Sequence, residues 1–136
     1  MDDLMKTMRI SSAGMRVQGE RLRVISQNLA NAEALPQEPN GNPYRRQVVT
    51  FKNQLDRTLG IKTVRTDKVR PDKSDFGKRY EPNHPGADPD GYVLTPNVNS
   101  LIEMTDMREA QRSYEANLNA IKATKAMLNL TIDVLR

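Results

Sequence analysis

His84 is the only histidine in the chain, and it lies between Asn83 and Pro85. A nucleophile–base–carboxylate triad could be assembled only around it, and a histidine-based metal site would lack its second imidazole. A solvated loop position is the simpler expectation. Asp88, Asp90 and Gly91 imitate part of a calcium-binding loop, but the preceding ligand position is Gly86 and the closing glutamate position is Asn97, so the pattern fails. Asp72 and Asp75 could be paired carboxylates, yet nothing near them in sequence would desolvate them, and an exposed charged loop is expected. The chain has no cysteine, which removes disulfides, thiolate zinc sites and cysteine nucleophiles. Neither G-x-x-x-x-G-K-[ST] nor G-x-G-x-x-G occurs. The residues that could do chemistry therefore predict no enzyme, no cofactor and no metal.

The elements that hold these residues must come from 136 positions, enough for one ordinary domain and too few for a two-domain enzyme. Hydrophobic residues make up 37% and aromatics only 4%, with no tryptophan and a mean hydropathy of -0.71. Aromatic side chains bury the most area each, so a chain this poor in them must pair long helices or join other subunits. The net charge of +4 and a pI near 9.5 are too mild for a dedicated nucleic-acid binder. Tyr44 beside Arg45 and Arg46 would be the starting point for such a surface, but acidic residues interleave the basic ones through the middle of the chain. No nucleic-acid partner is expected. The opening MDDLMKTMRISS lacks the apolar core of a cleaved secretory signal, and no apolar run approaches the roughly 20 residues that span a bilayer.

All eight prolines fall between Pro36 and Pro96, and five of the seven glycines between Gly41 and Gly91, which leaves both ends free to form long helices. At the first end Leu4, Met8, Ser11, Met15, Gln18, Leu22, Ile25, Leu29 and Ala32 advance by alternating steps of four and three, a heptad seam flanked by Ile10, Val17 and Val24. Asp2 and Asp3 suit the positive end of the helix dipole, and Pro36 ends the run. At the second end Met107, Tyr114, Ile121, Leu128 and Leu135 recur every seven residues, with Leu118 and Ile132 beside them. Ser100 and Glu103 fit the S-x-x-E capping box that opens a helix. Asn117, Thr124 and Thr131 interrupt the second seam as Ser11 and Gln18 interrupt the first; such polar groups weaken a seam but fix its register.

In the middle, Arg45–Phe51 and Ile61–Val69 carry the β-branched residues of strands, Tyr92–Leu94 predicts a short third strand, and Arg79–Glu81 an edge segment in an otherwise long loop from Arg70 to Ala87. Asp90 and Gly91 mark a sharp turn, with Gly91 at positive φ. The expected class is α+β, mainly α. Long N- and C-terminal helices (1–35 and 97–136) pack as a coiled-coil-like pair, with a small β-rich domain (36–96) holding a three- or four-stranded sheet between them.

Four stretches carry a resemblance: Ser12 to Leu22, Val24 to Ala32 with its N-L-A-N-A element, Asp90 to Asn99 (D-G-Y-V-x-x-P-N-V-N) followed by Glu103-Met104, and Arg112 to Leu118. Together the chain resembles the bacterial flagellar rod and hook axial family over nearly its whole length, Asn53 to Ala87 being least distinctive. Its short length and the D-G-Y-V block are similar to the proximal rod subunits of that family. It departs at Ala34, where the family often carries threonine. The resemblance implies a structural protein without enzymatic activity or a cleaved signal. It also implies passage through the flagellar type III export apparatus to the basal body in the periplasmic space. Both terminal helices would pack into the inner tube of a helical polymer, part of the drive shaft and the wall of the export channel. The implied partners are further copies, other proximal and distal rod subunits, the MS-ring and the export-gate base, with no nucleic acid and no membrane insertion. The residues placed in subunit packing are Met8, Met15, Leu22, Ile25, Asn28, Leu29 and Asn31 on the first helix. On the second they are Met104, Met107, Tyr114, Asn117, Leu118, Ile121, Leu128, Ile132 and Leu135. The amides of Asn28, Asn31 and Asn117 would serve there as register-fixing hydrogen bonds. A competing reading from the helices alone is a non-enzymatic adaptor that saturates as a small closed oligomer.

Overall fold

A computed structural model describes residues 2–136, in the order α1 (Asp2–Ala30), β1 (Gln47–Asp56), β2 (Ile61–Pro71), β3 (Gly77–Tyr80), β4 (Tyr92–Thr95) and α2 (Ser100–Val134). The α+β class with two long terminal helices and a small antiparallel β region is as the sequence predicts. The chain gathers into two compact units, each drawing on both helices and on the middle segment. The first contains the chain up to Leu22, Val49–Lys68 and Arg108–Arg136; the second contains Arg23–Val48 and Val69–Met107.

In the first unit α1 opens on Asp2 and Asp3, whose carboxylates favour the exposed N–H groups of its first turn. Val17 and Ala110 are its buried apolar residues, and Ser11 and Thr124 its buried polar ones. Thr124 meets its own hydrogen-bonding need by donating to the Ala120 carbonyl at 2.8 Å, which lets a hydroxyl sit on a buried helix face. Gly14 faces Asn117: a Cβ added there would lie 2.8 Å from the amide nitrogen, so the two helices approach closely at a position without a side chain. Arg21 reaches Glu109 at 3.6 Å. These two contacts run in opposite chain directions, so the helices pair antiparallel within this unit. The hairpin turn is closed by the Gly60 N–H donating to the Asp56 carbonyl at 2.8 Å, with Gly60 at φ +66°.

In the second unit α1 ends at Ala30, six residues before Pro36. The Gln27 carbonyl accepts both the Asn31 N–H at 3.1 Å and the Asn31 side chain at 2.8 Å, and the helix ends there, before the proline is reached. The start of α2 also differs from expectation. Asn99, not Ser100, is the cap: its Oδ1 accepts from the N–H groups of Leu101 at 3.0 Å and Ile102 at 3.4 Å. Glu103 is thereby released from any capping role and turns inward, completely buried.

The single small sheet predicted from sequence is two separate ones, β1-β2 and β3-β4. The chain between them cannot extend a ladder because side chains occupy its carbonyls. Arg45 donates to the carbonyls of Asp72 (2.7 Å) and Ser74 (3.0 Å), and the Asn97 amide to the same two at 3.0 and 3.1 Å. Strand β1 accordingly begins at Gln47 rather than Arg45 and runs on to Asp56, and the edge segment expected at Arg79–Glu81 is the strand Gly77–Tyr80. It pairs antiparallel with β4 in the register Gly77↔Thr95 to Tyr80↔Tyr92, and the Tyr80 and Tyr92 rings meet edge to face at 5.3 Å. Gly91 has φ +89°, the turn conformation expected of it, and a Cβ there would stand 2.8 Å from the Tyr80 ring.

Candidate functional site

The residues singled out for chemistry are held as structural groups. His84 is half-buried, and its Nδ1 accepts the Gly86 N–H at 2.9 Å, so its loop is tighter than a solvated position requires. Asp88 is turned inward to its own turn, accepting the Tyr92 N–H at 2.9 Å, while Asp90 is exposed and Gly91 buried. Among the described residues no three metal-ligating side chains converge, and no helix is long and apolar enough to cross a membrane.

The densest polar arrangement lies in the second unit, around Asn28. Its amide donates to the Gln47 carbonyl at 2.9 Å and to Glu103 Oε2 at 3.2 Å, while its oxygen accepts from the Gln47 N–H at 3.0 Å and the Tyr44 hydroxyl at 2.8 Å. Asn28 is 1% exposed and Glu103 0%. The other Glu103 oxygen is hydrogen-bonded to Arg46 Nε. Arg46 also reaches Asp72 at 3.1 Å and Asp106 at 3.5 Å, and its backbone N–H donates to Asn97 Oδ1 at 2.7 Å. Burial pulls the Arg46 guanidinium down, but its hydrogen bonds to Glu103 and Asp72, with their charges, outweigh that and raise it above the ordinary value. Asp72 is held below the usual carboxylate value, first by the Ser74 N–H and then, against its partial burial, by the Ser74 side chain and Arg46. Tyr44 is raised by burial and by the nearby Glu103 charge, which keeps its hydroxyl a donor.

This arrangement corrects the reading of Asp72 as a solvated loop carboxylate. The sequence could not show that Arg46, 26 positions earlier, desolvates and pairs with it. Both oxygens of the buried Glu103 are occupied by the chain itself, so the node binds the end of α1, the segment 44–47 and the start of α2 together and offers nothing to a substrate. Sequence reasoning missed Tyr44, Arg46, Asn97 and Glu103 as its members. The available signal was an amide and a carboxylate, Asn28 and Glu103, on otherwise apolar helix faces.

The residues assigned to subunit packing divide by burial. Ile25 and Asn28 are buried within the chain, and Asn28 spends its amide there. Met8, Met15, Leu22, Leu29, Asn31, Met107, Tyr114, Asn117, Leu118, Ile121 and Leu128 are half-buried. The amides of Asn31 and Asn117 are engaged locally, Asn117 donating to the Ser113 carbonyl at 3.0 Å. Met104, Ile132 and Leu135 are exposed. So are several apolar side chains outside that assignment: Met5 and Ile10 on α1, and Met127, Leu130 and Val134 on α2. Leu130 is 65%, Leu135 77% and Val134 83% exposed. Together with half-buried Leu128, the last two turns of α2 are apolar around most of the helix, the pattern of an element covered on all sides.

Two long terminal helices, an internal polar node and a small antiparallel β region define the architecture. Comparison with known proteins agrees. The family of flagellar basal body rod FlgEFG protein C-terminal regions matches residues 90–134. The flagellar basal-body rod protein FlgC of Agrobacterium fabrum is 46% identical over 136 residues, covering all of this chain and 98% of the relative. The protein of the same name from Salmonella typhimurium is 36% identical over 95% of this chain and 96% of the relative. That of Bacillus subtilis is 34% identical over 94% and 95%. The chain belongs to the flagellar basal-body rod protein FlgC family.

Proposed function

We propose that this protein is a non-enzymatic structural subunit of the proximal flagellar rod. It polymerises helically through its terminal segments, 1–35 and 97–136, to form part of the drive shaft and the wall of the export channel. The observation that carries this reading is the end of α2. Met127, Leu130, Ile132 and Val134, with Leu135 just beyond the helix, stand exposed there. Burying one such side chain is worth about 1.5–3 kcal/mol, so five of them form an assembly surface rather than a tolerable solvent face. The subunit reaches the periplasmic part of the basal body through the flagellar type III apparatus. Its partners there are further copies, neighbouring proximal and distal rod subunits, the MS-ring and the export-gate base.

The test is Leu130→Asp. A charge at that exposed position stays hydrated in the free subunit but must be desolvated without a partner in an assembled rod. The variant is expected to be made and exported at normal levels, to be missing from basal-body fractions, and to abolish swimming in soft agar. Normal incorporation refutes the packing role of the α2 end, and a discrete small oligomer of the purified chain favours the closed adaptor instead.

A further inference from the structure

In the first unit, α1 and the β1-β2 hairpin enclose a cleft of about 600 Å³. Four arginines line it: Arg9 and Arg16 from α1, Arg57 from the hairpin turn and Arg65 from β2. Two carboxylates accompany them, Asp56 and Glu20. Asp56 is already committed. One oxygen takes Arg9 at 3.3 Å, and the other accepts the N–H groups of Thr58 at 3.0 Å and Leu59 at 3.3 Å. Arg16, Arg57 and Arg65 make no ion pair among the described residues, which leaves three guanidinium groups against the single carboxylate of Glu20. A second observation points the same way. The Thr66 hydroxyl, on the cleft wall, is buried and has no hydrogen-bond partner. An unpaired hydroxyl is costly to leave, and guanidinium forks are the groups that bind carboxylates bidentately. Val17, Leu55 and Val64 add an apolar part to the lining.

We propose that this cleft receives the Asp2–Asp3 turn of α1 from a second copy of the chain; the proposal rests on the rod-subunit reading. Asp2–Asp3 is the only pair of adjacent carboxylates in the sequence. Both are exposed, and exposed Met5 follows two residues after Asp3, so the turn presents two negative charges and an apolar side chain to a cleft of the opposite charge with an apolar lining. The sole ion pair that holds this turn among the described residues is Lys6 with Asp2 at 3.7 Å, an exposed contact worth little. The turn and the cleft are different surfaces of one chain. A copy that donates its turn therefore keeps its own cleft free for the next copy, and the contact propagates instead of closing.

The absence of native cysteine makes the test direct. One strain carries two forms of the chain, Asp3→Cys and Arg65→Cys, and its basal bodies are isolated and oxidised. A disulfide-linked dimer containing one chain of each form is expected, with none when Lys73→Cys replaces Arg65→Cys. If both forms sediment with basal bodies and no mixed dimer appears, the proposal is overturned while the rod reading stands. A disulfide from Arg65→Cys to a different protein overturns the occupant. If neither these forms nor the unaltered chain sediments with basal bodies, it is the rod reading that fails. Should the cysteine forms alone be excluded, charge exchange decides. Arg16→Glu/Arg65→Glu and Asp2→Lys/Asp3→Lys are each expected to abolish swimming and, combined in one chain, to restore it. No restoration, with protein levels normal, overturns the proposal.

Discussion

The second unit matches its buried polar groups within itself, whereas the first leaves two buried polar atoms, Gln18 Oε1 and Thr66 Oγ1, without a partner; both units leave apolar side chains outward. Around Asn28, buried amide and carboxylate atoms find partners within the chain, and half-buried Arg46 balances the fully buried Glu103. At the end of α2, by contrast, Leu130, Val134 and Leu135 are left in water. A unit whose buried polar atoms are all matched specifies its own fold, because any other arrangement strands a charge or an amide. Uncovered apolar side chains, such as Leu130 in the first unit and Leu101 in the second, are what assembly must cover. In a single chain of 136 residues the two conditions coexist, and they separate what folding must supply from what assembly must supply.

The largest expected effect breaks the self-sufficient side of that contrast. Arg46→Met leaves Glu103, wholly buried, with only the Asn28 amide among its described contacts, and should cost about 3–5 kcal/mol in urea unfolding. Replacing both partners, Arg46→Met/Glu103→Leu, should cost clearly less than Arg46→Met alone, since an apolar pair strands no charge. A double variant as unstable as the single would show that the node is packing rather than electrostatics. Next comes Gly91→Val, which forces a β-branched residue to φ +89° and a Cβ against the Tyr80 ring, with an expected loss of about 1–3 kcal/mol. An unchanged melting temperature would count against the turn geometry.

Smaller still is Asp72→Ala, expected to cost about 1 kcal/mol at pH 7 by removing the Arg46 pair and the bond from the Ser74 N–H. Here the sign of the pH dependence is fixed. A carboxylate whose folded value lies below its ordinary 3.8 contributes stability above that value and loses it as pH falls through the lower folded one. The difference between the native chain and Asp72→Ala should therefore shrink below about pH 4 and vanish in stronger acid. A difference independent of pH would assign the loss to the loop backbone. At the bottom of the range, Leu130→Asp should leave urea unfolding of the free subunit unchanged while removing it from rods, the opposite profile to Arg46→Met.

These particulars also mark where the sequence was legible. The helices could be read because heptad spacing is local and every breaker lies between Pro36 and Pro96. Gly91 could be read because its neighbours Asp88 and Asp90 carry turn chemistry. The polar node could not. Glu103 has the spacing of a capping residue, and only the Asn99 cap, together with Arg46 arriving from 57 positions away, decides that it turns inward. The division into two sheets was hidden for a related reason. Strand propensity marks where strands can form, but it is the Arg45 and Asn97 side chains on the carbonyls of Asp72 and Ser74 that stop one ladder from joining the other. The outward row on α2 was half visible. The seven-residue repeat selects Leu128 and Leu135, while Met127, Leu130 and Val134 occupy an i, i+3, i+7 row that a single-seam reading passes over.

Amide hydrogen exchange on the free subunit and on isolated basal bodies tests the division between folding and assembly most directly. In the free subunit the amides of Asn28, Gln47 and Glu103 should exchange only through global unfolding, while those from Met127 onward should exchange through local fraying, many times faster. In basal bodies the second group should become as slow as the first. Equal protection of both groups in the free subunit, or fast exchange beyond Met127 that persists in the rod, would contradict the account.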